Sequence, residues 1–195
     1  MPLHWFRFLF SLAAFWGLLS WTPSSGAAEI RLSNLGVSLN DADVTVQAVL
    51  LGAIPSSLRE GLEGGIPINI RFAVELVQFR RLWLNRTVVA KTVERQLTYD
   101  PLTKEYRVVP LKDDRREPYS TKDRRDAQRV ISEFRGLKLM PVADLSPKDL
   151  YIVRVRAEVS TGSGLSFFSR LFPFLGTGEE TPWVESSLLT ITRSQ

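Results

Sequence analysis

The stretch Ile68-Asn69-Ile70-Arg71-Phe72-Ala73-Val74-Glu75-Leu76 sets Ile68, Ile70, Phe72, Val74 and Leu76 on one side and Asn69, Arg71 and Glu75 on the other. A period of two with one polar face is the pattern of a strand half-buried in an antiparallel sheet. Working outward, the same period recurs. Val44, Val46, Ala48 and Leu50 share a face, with Thr45 and Gln47 between them. Tyr151, Val153, Val155, Ala157 and Val159 alternate with Ile152, Arg154, Arg156 and Glu158. Two more strands, near Thr87–Tyr99 and Lys104–Leu111, flank Asp100-Pro101-Leu102-Thr103, which reads as a hairpin turn. Glu29–Leu39 and Pro182–Thr192 are the expected first and last strands.

Two helices interrupt the alternation. The first has Pro55 in its opening turn, Leu58 and Leu62 on one face and Gly64-Gly65 as a stop. The second follows Ser120 and Asp123, which have capping-box spacing. It carries Ala127, Val130, Ile131 and Phe134 at helical spacing and is expected to end at Gly136. The expected fold is therefore mainly β (α+β): an antiparallel β-sandwich or curved sheet of about seven strands with one short and one longer helix.

Residues 1–28 have the parts of a secretory signal. A short segment with Arg7 precedes the apolar run Phe8–Leu19, and Gly26 and Ala28 fit a cleavage site that leaves Glu29 first. The run of 12 residues is shorter than the roughly 20 that span a bilayer. The alternative is an uncleaved inner-membrane anchor with Trp5 and Trp21 at the two interfaces. Residues 29–195 then form a single β-rich domain of the periplasm.

Cysteine is absent and the only histidine is His4. The exported domain therefore lacks the usual neutral-pH general base, the thiol nucleophile and the commonest zinc, copper and haem ligands. No metal, cofactor or catalytic residue is expected. Removing Arg7 takes the formal net charge from +4 to +3, too small to point to nucleic acid.

The segments Gly64-Gly65-Ile66-Pro67-Ile68-Asn69-Ile70 and Leu97-Thr98-Tyr99-Asp100-Pro101-Leu102-Thr103-Lys104-Glu105-Tyr106-Arg107-Val108 stand either side of a long strand region. With the amphipathic helix, Leu150-Tyr151 and Trp183-Val184-Glu185-Ser186-Ser187, they resemble the bacterial family DUF4390 over nearly all of residues 29–195. The resemblance implies an exported, mostly β protein with no assigned chemistry, and a membrane sensor as a conceivable partner.

Candidate contact residues fall in two places. Leu165–Leu175 holds four phenylalanines (Phe167, Phe168, Phe172, Phe174) and three leucines between Gly162, Gly164, Gly176 and Gly178. It reads as an apolar flap that docks on a membrane or partner, or as a lid on the sandwich. Arg80-Arg81-Leu82-Trp83 breaks the alternation after Phe79, with Phe79 and Trp83 expected on the face opposite Leu76; it suits interfacial recognition or a plain strand end with a bulge. The block Lys112–Arg129 mixes seven basic and five acidic residues and reads as a solvated, charge-paired surface. Asn40-Asp41-Ala42-Asp43 reads as an Asx turn rather than a calcium loop.

The expected function is non-catalytic: a periplasmic binding or assembly module contacting an envelope protein or the membrane surface. The alternative is a carrier of an apolar ligand gated by residues 165–175, in a pocket lined by Ile70, Phe72, Val155 and Phe168.

Overall fold

The computed structural model describes residues 30–40, 42–81, 83–114, 116–162 and 178–191. The inward sets named above become the inner faces of two antiparallel sheets. The smaller has the order β1 (Arg31–Leu39), β2 (Asp43–Leu51), β7 (Glu133–Pro141). The larger runs β10 (Val184–Glu185), β8 (Leu150–Thr161), β3 (Ile68–Phe79), β4 (Arg86–Asp100), β5 (Glu105–Lys112), β6 (Tyr119–Thr121). Two further short strands, β9 (Glu179–Glu180) and β11 (Leu189–Thr190), also pair with β8. Strands dominate, and two helices accompany them: a mainly β, α+β sandwich. Among the described residues there are eleven strands against the expected seven: β6 and β7 are additional, and the single expected last strand is replaced by three two-residue pairings along β8.

Residues at period two on β2, β3 and β8 meet in one core. Val44, Val46, Ala48 and Leu50 are buried, as are Ile68, Ile70, Phe72, Val74 and Leu76. Tyr151, Val153, Val155, Ala157 and Val159 complete the set on β8, whose full length pairs with β3 from Ile68↔Thr161 to Phe79↔Leu150. Burying each large aliphatic side chain stabilises by about 1.5–3 kcal/mol, which a chain without disulfides depends on. Phe72 and Phe134 join the sheets edge to face, with ring centroids 5.1 Å apart. Ile70, Phe72 and Val155 are fully buried parts of this core.

Helix α1 (Ser56–Glu63) carries the chain from β2 to β3 and buries Leu62. Its end is tied off as the glycine pair suggests: Gly65 takes φ +92°, its N–H donates to Leu62 O, and the Ile66 N–H donates to Gly61 O. Helix α2 (Arg124–Ser132) departs from expectation at both ends. Its N-cap is Asp123, whose carboxylate accepts from the Arg125 N–H at 2.8 Å, whereas Ser120 lies in β6. It stops at Ser132, and Phe134 and Gly136 belong to β7. Phe134 pairs with Ala48 of β2, and Arg135 and Gly136 together stand opposite Gln47 as a bulge with Gly136 at φ +65°. Gly136 is thus a bulge glycine, not a helix stop.

Candidate functional site

Arg80, Arg81 and Trp83 lie at the turn between β3 and β4. The Asn85 side chain accepts from the Arg80 N–H at 3.1 Å and closes the turn. Trp83 is 80% exposed and Leu84 91% exposed, with Phe79 and its cross-strand neighbour Leu150 also at the surface. Trp83 does not share a strand face with Phe79, because β3 ends at Phe79 and the tryptophan sits in the turn. The β3–β4 ladder has a bulge between Leu76 and Val77, with Val88 of β4 as the extra residue; it lies outside the Arg80–Trp83 stretch, for which a bulged strand end is one of the two readings. From Leu76 to Val93 the chain has no acidic residue and carries Arg80, Arg81, Arg86 and Lys91. That acid-free run could have been read beside the tryptophan and was the missing half of the signal.

Phe167, Phe168, Phe172 and Phe174 lie outside the described residues. The residues bracketing that segment are placed. The Gly162 N–H donates to Pro67 O at 3.0 Å, the Asn69 side chain donates to Gly162 O at 2.7 Å, and Gly178 lies against Val159. These contacts are at the first residues of β3, whereas Trp83 follows its last. A strand of 12 residues separates them, roughly 40 Å at the usual rise. The arginine–tryptophan turn and the attachment points of the phenylalanine segment therefore mark opposite ends of the sandwich.

The outer face of the larger sheet is charged but paired. Arg71 lies between Glu94 (3.7 Å) and Glu158 (3.5 Å), Arg154 meets Glu75 at 2.6 Å, and Arg156 meets Glu180. Trp183 lies under both Arg154 and Arg156, 4.7 and 4.8 Å from its ring centre. Much of the block Lys112–Arg129 is likewise paired, through Asp126 with Arg129 and Arg124 with Glu63. The Asn40 side chain accepts from the Ala42 and Asp43 N–H groups, which makes the expected Asx turn. Among the described residues, no group of three or more His, Cys, Asp or Glu side chains is arranged to hold a metal, and no helix is long and apolar enough to cross a membrane.

A second site escaped the sequence reading. Val89, Lys91, Val93, Arg95 and Leu97 occupy one face of β4, and by register with Leu76, Val74, Phe72, Ile70 and Ile68 that face is the inner one. Two cations thus point between the sheets. Arg95, 2% exposed, pairs with Asp114 and donates to the Val130 carbonyl at 2.9 Å and to the Glu133 carbonyl, at the end of α2. Burial pulls its guanidinium below the usual value, and the Asp114 carboxylate opposes the shift. Lys91 donates from Nζ to the Lys138 carbonyl of β7 at 2.7 Å. Around these two opens a cleft of about 550 Å³, bounded by β4, by Asp113, Asp114 and Arg116 after β5, and by β7 from Phe134 to Lys138. The signal that could have found it is a lysine and an arginine standing in an otherwise apolar register.

No curated protein and no solved structure matches this chain. The family described as a domain of unknown function, DUF4390, matches residues 27–174. With most of its length covered, the chain belongs to the DUF4390 family.

Proposed function

We propose that the protein is a non-catalytic binding module of the bacterial cell envelope, exported by its N-terminal segment, that docks on an anionic membrane surface through the β3–β4 turn. The observation that carries this reading is the exposure of Trp83 and Leu84 inside a run with three arginines and no acid. Indole rings favour the headgroup level of a bilayer, where an apolar body and a polar N–H are both satisfied. Each nearby cation adds on the order of 1 kcal/mol on an anionic leaflet. The β3–β4 ladder holds the turn at the end of a long, fully paired strand.

The test is co-sedimentation of the purified protein with phosphatidylglycerol-containing vesicles and with phosphatidylcholine vesicles. Binding to the anionic vesicles should weaken with salt and disappear in the double variant Trp83→Ser, Leu84→Ser. Equal binding to both vesicle types, or binding indifferent to the double variant, sinks the reading. Site-specific cross-linking at position 83 to an envelope protein, without vesicle binding, would instead assign the turn to a protein partner. Sequencing the N-terminus of material recovered from the envelope checks export: Glu29 is expected, and an intact Met1 on membrane-bound protein means an anchor.

A further inference from the structure

The cleft between β4 and β7 is charged differently from the outer face of the larger sheet. On the outer face of the larger sheet, Arg71, Arg154 and Arg156 each stand against a carboxylate. Among the described residues of the cleft, five cations face two lining carboxylates, Asp113 and Asp114. Asp114 is occupied by Arg95, with Arg116 at 3.9 Å. Lys138 and Arg135 turn to Asp43 and Glu133, which are not part of the lining. Lys91 is half-buried and, among the described residues, meets a backbone carbonyl but no carboxylate. A half-buried ammonium with no carboxylate partner leaves positive charge in the cleft, which an anion entering it would meet with a charge-assisted hydrogen bond. Beside these cations the lining is apolar: Val93, Phe134 and Leu137. A volume of about 550 Å³ falls within the span of small-molecule sites, roughly 300–1,000 Å³.

We propose that this cleft binds a small organic anion, a carboxylate or phosphate monoester on an apolar body. The head sits between Lys91 and Arg116 and the body lies along Val93, Phe134 and Leu137. The site shares no residue with the β3–β4 turn, so it stands or falls independently of membrane docking.

The experiment is calorimetric titration of the purified protein with octanoate and with octyl phosphate, against octanol and inorganic phosphate as controls. At least one of the two amphiphilic anions should bind saturably, about tenfold or more tighter than either control, and the tighter one identifies the head group. Lys91→Gln keeps a donor for the Lys138 carbonyl and should weaken binding about tenfold, the worth of one charge-assisted contact. Arg116→Gln, a change at an exposed side chain, should do the same and carries the test if the first variant unfolds. Trp83→Ser should leave this affinity unchanged. Absence of binding by both anions up to about 1 mM overturns the proposal. So does equal binding of octanol, or an affinity that neither cleft substitution alters.

Discussion

Arg95 of β4 donates 2.9 Å across the interior to the carbonyl of Val130 and so fastens the end of helix α2 to the larger sheet. The same guanidinium reaches the carbonyls of Ile131 and Glu133 and pairs with Asp114. One buried cation therefore satisfies carbonyls that the helix cannot satisfy itself and fixes where helix passes into strand β7.

Replacing Arg95 by Met keeps much of the side-chain volume and removes all of these bonds. It leaves Asp114, whose side chain is 7% exposed, without its main partner. Breaking one side of a buried pair costs about 3–5 kcal/mol, so the urea midpoint should fall sharply. A loss under about 1 kcal/mol would show that water replaces the guanidinium without penalty.

Tyr99 and Tyr106 are cross-strand partners beside the Asp100 turn, with ring centroids 4.7 Å apart. The turn itself is closed by the Asp100 carboxylate, which accepts from the Leu102 N–H at 2.8 Å. Tyr106 is 7% exposed and belongs to the core, so Tyr106→Ala should destabilise by about 2–4 kcal/mol in urea unfolding. A change below about 0.5 kcal/mol would mean that the ring contributes as a surface residue does.

The Tyr119–Asp126–Arg129 cluster gives a pH signature at the surface. The hydrogen bond from Arg129, and then that from Tyr119, holds the Asp126 carboxyl below the ordinary aspartate range. The bond to Asp126 in turn holds the Tyr119 hydroxyl above the ordinary tyrosine range. A depressed carboxyl contributes stability above its unfolded pKa and loses it as pH falls through the folded value. A raised tyrosine contributes below its unfolded pKa and loses it as pH rises through the folded value. The cluster is thus intact from mildly acid to mildly alkaline pH. In an NMR titration, Arg129→Gln should move the Asp126 midpoint upward; an unmoved midpoint would show that the arginine does not set it.

Much of this architecture could be read from spacing alone. The inward residues of β2, β3 and β8, the hairpin at Asp100 and the glycine stop of α1 all follow from local chemistry. Strand β7 could not be read so, because Ala127, Val130, Ile131 and Phe134 keep helical spacing across the junction. The helix ends where Arg95, distant in sequence, takes its carbonyls and where β2 offers Phe134 a partner. The site divides in the same way. Trp83 and its arginines show locally as a broken alternation; Lys91 and Arg95 show only as two cations in an apolar register, and what they face is set by β7 and by Asp113, Asp114 and Arg116, distant in sequence.

Gly136 and Gly36 separate backbone strain from steric contact. Gly136 has φ +65° and open space where a Cβ would stand, so Gly136→Ala meets no atom and is opposed only by its left-handed backbone, about 1–2 kcal/mol. Gly36 has no such φ, but an added Cβ would lie 2.8 Å from Gln47 Nε2. Gln47 is exposed, and the contacting atoms, Nε2 and then Cγ at 3.0 Å, all belong to one flexible side chain that can rotate into solvent. Gly36→Ala should therefore cost less than Gly136→Ala despite the closer contact, and Gln47→Ala should remove most of the Gly36→Ala cost. Urea midpoints of the two alanine variants and of the Gly36→Ala, Gln47→Ala double variant decide it. A larger loss at position 36 than at 136 would mean that Gln47, the cross-strand partner of Gly36, cannot yield and that steric contact outweighs backbone strain.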